Sequence, residues 1–209
     1  MVRVAVLVSG GGTNLQAILD AKAAGKIPHG DIALVVSNKP EAFALERAAR
    51  ANIPTAVVKK EKGMDPSDYG QRILDVLKTH AVEFVVLAGF LVVLPENVIR
   101  AYESRIINVH PSLIPIFCGK GFYGLKVHEA ALNYGVKVTG ATVHYVNEIP
   151  DGGKIIAQKA VEILPEDTAE TLQKRVMIEA EWLLLPKALE FCCRELAMVK
   201  ETKKSVELV

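Results

Sequence analysis

The sequence predicts an α/β fold: an open, mostly parallel twisted sheet with helices on both faces, a partly antiparallel C-terminal part of the sheet, and a long C-terminal helix. Three observations carry this expectation. Apolar runs of strand length alternate with stretches of helical periodicity through the first half of the chain. Two strand-like runs then follow one another with only a loop between them, and after them apolar residues recur at helical spacing.

In order, Val2 to Val8 reads as a strand and Thr13 to Ala24 as a helix; Ile32 to Ser37 and Glu41 to Ala51 repeat the pair, as do Thr55 to Val58 and Pro66 to His80. Phe84 to Ala88 is continuously hydrophobic, which marks a central strand buried on both faces. A further strand ends at Asn108-Val109-His110, because the following Pro111 and Pro115 cannot donate to a sheet ladder. Val138 to Asn147 and Lys154 to Ile163 read as longer, partly antiparallel strands. Asp167 with Glu170 resembles a capping box opening the last helix; Leu172, Val176, Ala180 and Leu183 keep its spacing, and Pro186 is expected to kink it. The polar stretch from Lys200 to Val209 reads as a frayed tail. No Gly-, Ser- or Pro-rich linker splits the chain, so residues 1–209 are expected to form one Rossmann-like domain.

Half of the 209 residues are apolar and 23% are charged, enough to bury a full core. A net charge of +1 provides no general basic field, which argues against a nucleic-acid partner while leaving local anion sites open. The three cysteines, Cys118, Cys192 and Cys193, have neither metal-ligand spacing nor a good disulfide geometry, and a reducing cytoplasm fits them. No run approaches the length of a membrane span, and the N-terminus lacks the pattern of a secretory peptide.

Four segments carry chemistry. Ser9-Gly10-Gly11-Gly12-Thr13-Asn14 follows the first strand and opens the first helix, where backbone N–H groups and the helix dipole favour a phosphate. It is not a dinucleotide fingerprint: Leu15 stands where a third glycine would fall, and Val36-Ser37-Asn38-Lys39 has no acidic group for a ribose. The run Val86 to Pro95 outlasts one strand, so it is either core throughout or a loop lining an apolar slot for a flat ligand. Asn108 and His110 point to one face of a strand, two donors able to hold a developing oxyanion. His144 leads along another strand toward Asp151-Gly152-Gly153; His144 is either a support to the site or a cross-strand polar residue, and Asp151 either starts a turn or sets the protonation of His110. His29, His80 and His128 read as surface residues, and no histidine has a partner at metal spacing.

Taken together and in order, Ser9 to Asn14, Val86 to Pro95, Asn108 to Pro115, Thr139 to His144 and Asp151 to Gly153 closely resemble the phosphoribosylglycinamide formyltransferase family of purine synthesis. The resemblance implies transfer of a formyl group from 10-formyltetrahydrofolate, a cosubstrate, to the amine of glycinamide ribonucleotide, with no metal. It implies that Asn108, His110 and Asp151 are catalytic, that Gly11, Gly12, Thr13 and Asn14 hold the nucleotide phosphate, and that Phe90, Leu91, Val92, Val93 and Leu94 contact the pteridine. Residues 1–105 would then be mainly the nucleotide-binding half and 106–199 mainly the catalytic and folate-binding half, in a monomer or homodimer. Many members carry Met-Arg where this chain has Leu91-Val92, and the run from Ile116 to Lys126 is longer than the usual connection. A ribose-contacting glutamate of the family falls on Glu181 by spacing back from Pro186; helical phase favours Glu179 instead, and Glu181 is the expected contact. The extra domains of methionyl-tRNA formyltransferases and formyltetrahydrofolate deformylases find no room here. A nicotinamide-dependent oxidoreductase is disfavoured by the altered glycine pattern, and a non-catalytic nucleotide-binding module has no need of Asn108, His110 and Asp151 together.

Overall fold

The computed structural model describes the backbone of residues 1–207 and the side chains of residues 1–202. Its strands are β1 (Val2–Val8), β2 (Gly30–Ser37), β3 (Thr55–Val57), β4 (Phe84–Leu87), β5 (Ile106–His110), β6 (Val138–Tyr145) and β7 (Ile155–Glu162). They form one sheet in the order β3-β2-β1-β4-β5-β6-β7. The first five are mutually parallel, and β6 and β7 join antiparallel, as the sequence predicts. The order reverses direction between β1 and β4, so a crevice opens beyond the carboxyl ends of these strands, where open α/β sheets place their ligands.

Seven helices surround the sheet among the described residues: α1 (Thr13–Ala23), α2 (Phe43–Arg50), α3 (Pro66–Thr79), α4 (Glu96–Ala101), α5 (Leu125–Tyr134), α6 (Ala169–Val176) and α7 (Trp182–Glu207). Because side chains alternate across a strand, Val4, Val6 and Val8 of β1 join one core with Leu15, Ile18, Leu172 and Leu189, while Ala5 and Leu7 join the other with Tyr69, Ile73 and Val98. The central strand β4 is apolar throughout for this reason. In β5 the same alternation sends Ile107 and Val109 into the first core and leaves Ile106, Asn108 and His110 on the opposite face.

The C-terminal helical region departs from expectation in three ways. The capping box is made by Thr168 and Thr171: the Thr171 N–H donates to Thr168 Oγ1 (3.3 Å), and the Thr168 N–H donates to Thr171 Oγ1 (2.9 Å). Asp167 cannot serve as the cap because its carboxylate is taken by the Arg175 guanidinium and the Leu164 N–H. The irregularity expected at Pro186 lies earlier, as a π-helical turn at Met177–Glu181, and α7 continues through the proline. That wider turn shifts the helical phase by about one residue, so Leu172, Val176 and Ala180 are buried as expected but Leu183 is 46% exposed and Leu185 takes its place. The segment read as a frayed tail continues as helix to Glu207; Leu208 and Val209 lie outside the described residues. No helix among the described residues is long and apolar enough to cross a membrane.

Candidate active site

Asn108 and His110 leave β5 on one face, and antiparallel pairing places His144 of β6 directly opposite Asn108. The turn after β6 returns Asp151 to the same spot. There the backbone of Asp151 is left-handed (φ 55°), and Gly153 lies so close to β6 that a Cβ would sit 1.7 Å from the Tyr145 carbonyl oxygen. The four side chains therefore meet. Asp151 Oδ2 lies 3.5 Å from His110 Nδ1, and its Oδ1 lies 3.6 Å from His144 Nε2 and 3.5 Å from Asn108 Nδ2.

Carbonyl oxygens only accept hydrogen bonds, and this assigns the protons. His144 Nδ1 donates to the Tyr145 carbonyl (2.8 Å), so its Nε2 is the acceptor for Asn108 Nδ2 (3.2 Å) and orients that amide. His110 Nε2 donates to the Phe117 carbonyl (2.8 Å), leaving Nδ1 as the nitrogen that faces Asp151. Burial pushes the His110 pKa below its ordinary value, and the pull of Asp151 and of the Phe117 carbonyl does not restore it. Burial alone would raise the Asp151 carboxyl; a hydrogen bond from the His144 ring when both its nitrogens carry protons, the positive field of His110 in its protonated form and the Gly119 N–H (2.8 Å) outweigh it and hold the group below the usual range. At neutral pH the pair is thus a neutral imidazole, with an open Nδ1, beside a carboxylate.

Gly11 to Asn14 turn from β1 into α1, whose N-terminus carries no side-chain cap. Gly12 has φ 72°, and a Cβ there would meet Ala44 Cβ at 2.6 Å, whereas Gly10 and Gly11 border open space. The Asn14 side chain turns inward: Nδ2 donates to Glu181 Oε2 (2.6 Å), and Oδ1 is buried without a partner. Glu181 is 6% exposed while Glu179 is exposed, because the π turn rotates residue 181 onto the inner face. Burial raises the Glu181 pKa, against the opposing Asn14 bond. Arg47, which gave no signal in the sequence because a Leu-Glu-Arg run reads as a solvated helix face, donates from Nε to the Gly11 carbonyl (2.8 Å) and from Nη1 to Gln16 Oε1 (2.9 Å).

Beyond β4 the apolar run is a loop whose residues alternate. Phe90, Val92 and Leu94 pack on the core, while Leu91 is 61% and Val93 76% exposed beside the crevice. The run is therefore neither core throughout nor fully exposed: its alternate residues divide between the core and the surface. Over Asn108 and His110 lies the segment from Ile116 to Lys126, whose backbone takes part in the site through Phe117 O and Gly119 N. The Phe117 ring packs on Phe122 (6.3 Å) and edge-on to Tyr134 of α5 (6.0 Å).

His128, read as a surface residue, is instead fully buried: α5 turns it inward with Val127 and Ala131, and both ring nitrogens lack partners. In the sequence His128 stands between Lys126 and Glu129, and these charged neighbours mask the inner face of the helix. Burial, with a smaller push from His110, brings the His128 pKa down to about 4. The unfolded chain binds a proton there below about pH 6.5 that the folded chain refuses, so stability falls as pH falls through this window. Urea unfolding at pH 7.5 and pH 5 should show a loss of about 2 kcal/mol that His128→Leu removes; an equal loss in that variant would rule out His128 as its source. Among the described residues, no group of three or more His, Cys, Asp or Glu side chains is placed to hold a metal ion.

Comparison with known proteins identifies the family. The model of the formyl transferase family matches residues 2–189. A chloroplastic phosphoribosylglycinamide formyltransferase of Vigna unguiculata is 42% identical over 197 residues, 92% of this chain and 61% of the relative. The phosphoribosylglycinamide formyltransferase of Haemophilus influenzae is 40% identical over 186 residues, 89% of this chain and 84% of the relative. The chain thus spans about three fifths of the plant relative and most of the bacterial one. The crystal structure of glycinamide ribonucleotide transformylase 1 from Symbiobacterium toebii superposes with a TM-score of 0.87 at 38% identity, covering 93% of this chain and 89% of the other.

Proposed function

As this chain belongs to the formyl transferase family, we propose that it transfers the formyl group of 10-formyltetrahydrofolate to the amine of glycinamide ribonucleotide, giving formylglycinamide ribonucleotide and tetrahydrofolate in purine synthesis. The observation that carries this reading is the meeting of Asn108, His110 and Asp151 in a crevice bordered by an uncapped glycine turn and an apolar loop. The turn, with Thr13, the backbone of Asn14 and the nearby Arg47, suits the phosphate, and Glu181 suits a ribose hydroxyl. Leu91 and Val93 offer side chains to the pteridine, with Phe90, Val92 and Leu94 supporting the loop from below.

The neutral amine attacks the formyl carbon, and the carbonyl oxygen becomes negative. Asn108 Nδ2, held by His144, donates to that oxygen, as does His110 Nε2 once the Phe117 carbonyl gives way to substrate. The amine proton passes through water to the open Nδ1 of His110, where Asp151 stabilises the resulting imidazolium and so strengthens the Nε2 donor. The proton then moves to the folate nitrogen as the carbon–nitrogen bond breaks. His144 acts through Asn108 as a positioning residue. The three free thiols fit a reducing compartment such as the cytoplasm, and the chain acts as a monomer or homodimer without a nucleic-acid partner.

The test follows folate absorbance with both substrates present and with each omitted in turn. A change only when both are present is expected; turnover without the nucleotide would mean formyl-folate hydrolysis and overturn the transferase assignment.

A further inference from the structure

Ser9 is the last residue before the glycine turn and is 4% exposed. Its Oγ accepts a hydrogen bond of 2.9 Å from the backbone N–H of Leu91, in the apolar loop. Residues 82 apart in sequence meet here because β1 and β4 are parallel neighbours, with Leu7 beside Leu87, and because Gly89 (φ 72°) turns the chain back toward β1. A hydroxyl has one proton to give as well as lone pairs to offer, and the Ser9 proton has no acceptor among the described residues. The turn that follows is open at Gly10 and Gly11.

We propose that Ser9 couples the two substrate sites, so that an anion in the glycine turn and a flat ligand on the apolar loop tighten each other's binding. This rests on the assignment of the turn to the nucleotide phosphate and of the loop to folate. An anion seated in the turn accepts the Ser9 proton. Donation makes Oγ a stronger acceptor, because hydrogen bonds in a chain polarise one another. The oxygen then holds the Leu91 N–H more firmly and keeps Leu91 and Val93 in place against the ring. Reciprocity follows: a ligand that orders the loop orders Ser9, and improves the anion site by the same factor. Only hydrogen bonds change; no proton is transferred.

Ser9 touches no reacting atom in this scheme, so it is a positioning residue, and ligand coupling rather than rate is the diagnostic quantity. Tetrahydrofolate is titrated onto the intact protein with and without saturating glycinamide ribonucleotide, for wild type, Ser9→Ala and Ser9→Thr. In wild type the nucleotide should tighten folate binding about fivefold, within the usual range of coupling. Ser9→Ala should bring the ratio close to one and raise both KM values while kcat at saturation changes far less; Ser9→Thr, which keeps the hydroxyl, should retain the ratio. Ser9→Cys, similar in size but a poor acceptor, is read like the alanine variant if the latter melts before assay. A wild-type ratio of one with both ligands bound, an undiminished ratio in Ser9→Ala, or equal loss in Ser9→Thr overturns the coupling. A wild-type protein that binds neither ligand overturns the site assignment instead.

Discussion

Replacing His110 by alanine is expected to lower kcat by about 100- to 1,000-fold, the usual cost of removing one oxyanion donor. The residue is 4% exposed and its ring is held between Asp151 and the Phe117 carbonyl, so once substrate displaces that carbonyl the Nε2–H is already oriented when the oxygen becomes negative. Asn108→Ala should cost a similar factor, since the His144 acceptor fixes its amide. The two losses should not multiply in the double variant, because both donors serve one oxygen. Steady-state kinetics beside circular dichroism and a thermal melt separate chemistry from folding. Near-wild-type turnover in either folded single variant would remove that residue from oxyanion stabilisation.

Asp151→Asn is expected to act on the pH profile as well as on the rate. In wild type the carboxylate favours the protonated form of His110, opposing the effect of burial. An amide cannot, so the His110 pKa should drop further, and the acid limb of kcat/KM should move to lower pH. The plateau should fall by about 100- to 10,000-fold, because the imidazolium formed during proton transfer loses its partner. The limb belongs to the His110–Asp151 pair as a unit. A kcat/KM profile from pH 5 to pH 9 checks both effects. An acid limb at the wild-type position would exclude Asp151 from the proton path.

Much of this was legible in the chain itself. Strand β1 is legible to its observed ends because a run of seven residues, all apolar but Arg3, stops before a glycine turn, and β4 is legible as central because no polar residue interrupts it. Asn108 and His110 were found through a period of two, which any strand enforces. The burial of His128 and the contacts of Ser9, Arg47 and Phe117 are not legible there, each for a definable reason. His128 looks like any polar residue until α5 is known to face inward, and Arg47 like any surface cation until α2 is known to lie beside the glycine turn. Ser9 acts through a partner 82 positions away, and Phe117 through a backbone carbonyl that every residue possesses.

The sequence by itself determined the succession of the seven strands and of the helices outside α4 and α5, the common face of Asn108 and His110, and the glycine turn after β1, because these follow from spacing along a local backbone. Only the tertiary structure decided which residues meet. The π turn selected Glu181 over Glu179, sheet register set His144 against Asn108, and the return of the chain after β6 placed Asp151 beside His110. The division is physical: periodicity is a property of neighbouring dihedral angles, whereas helical phase across a defect, strand pairing and loop closure are set by the free energy of the whole packed chain.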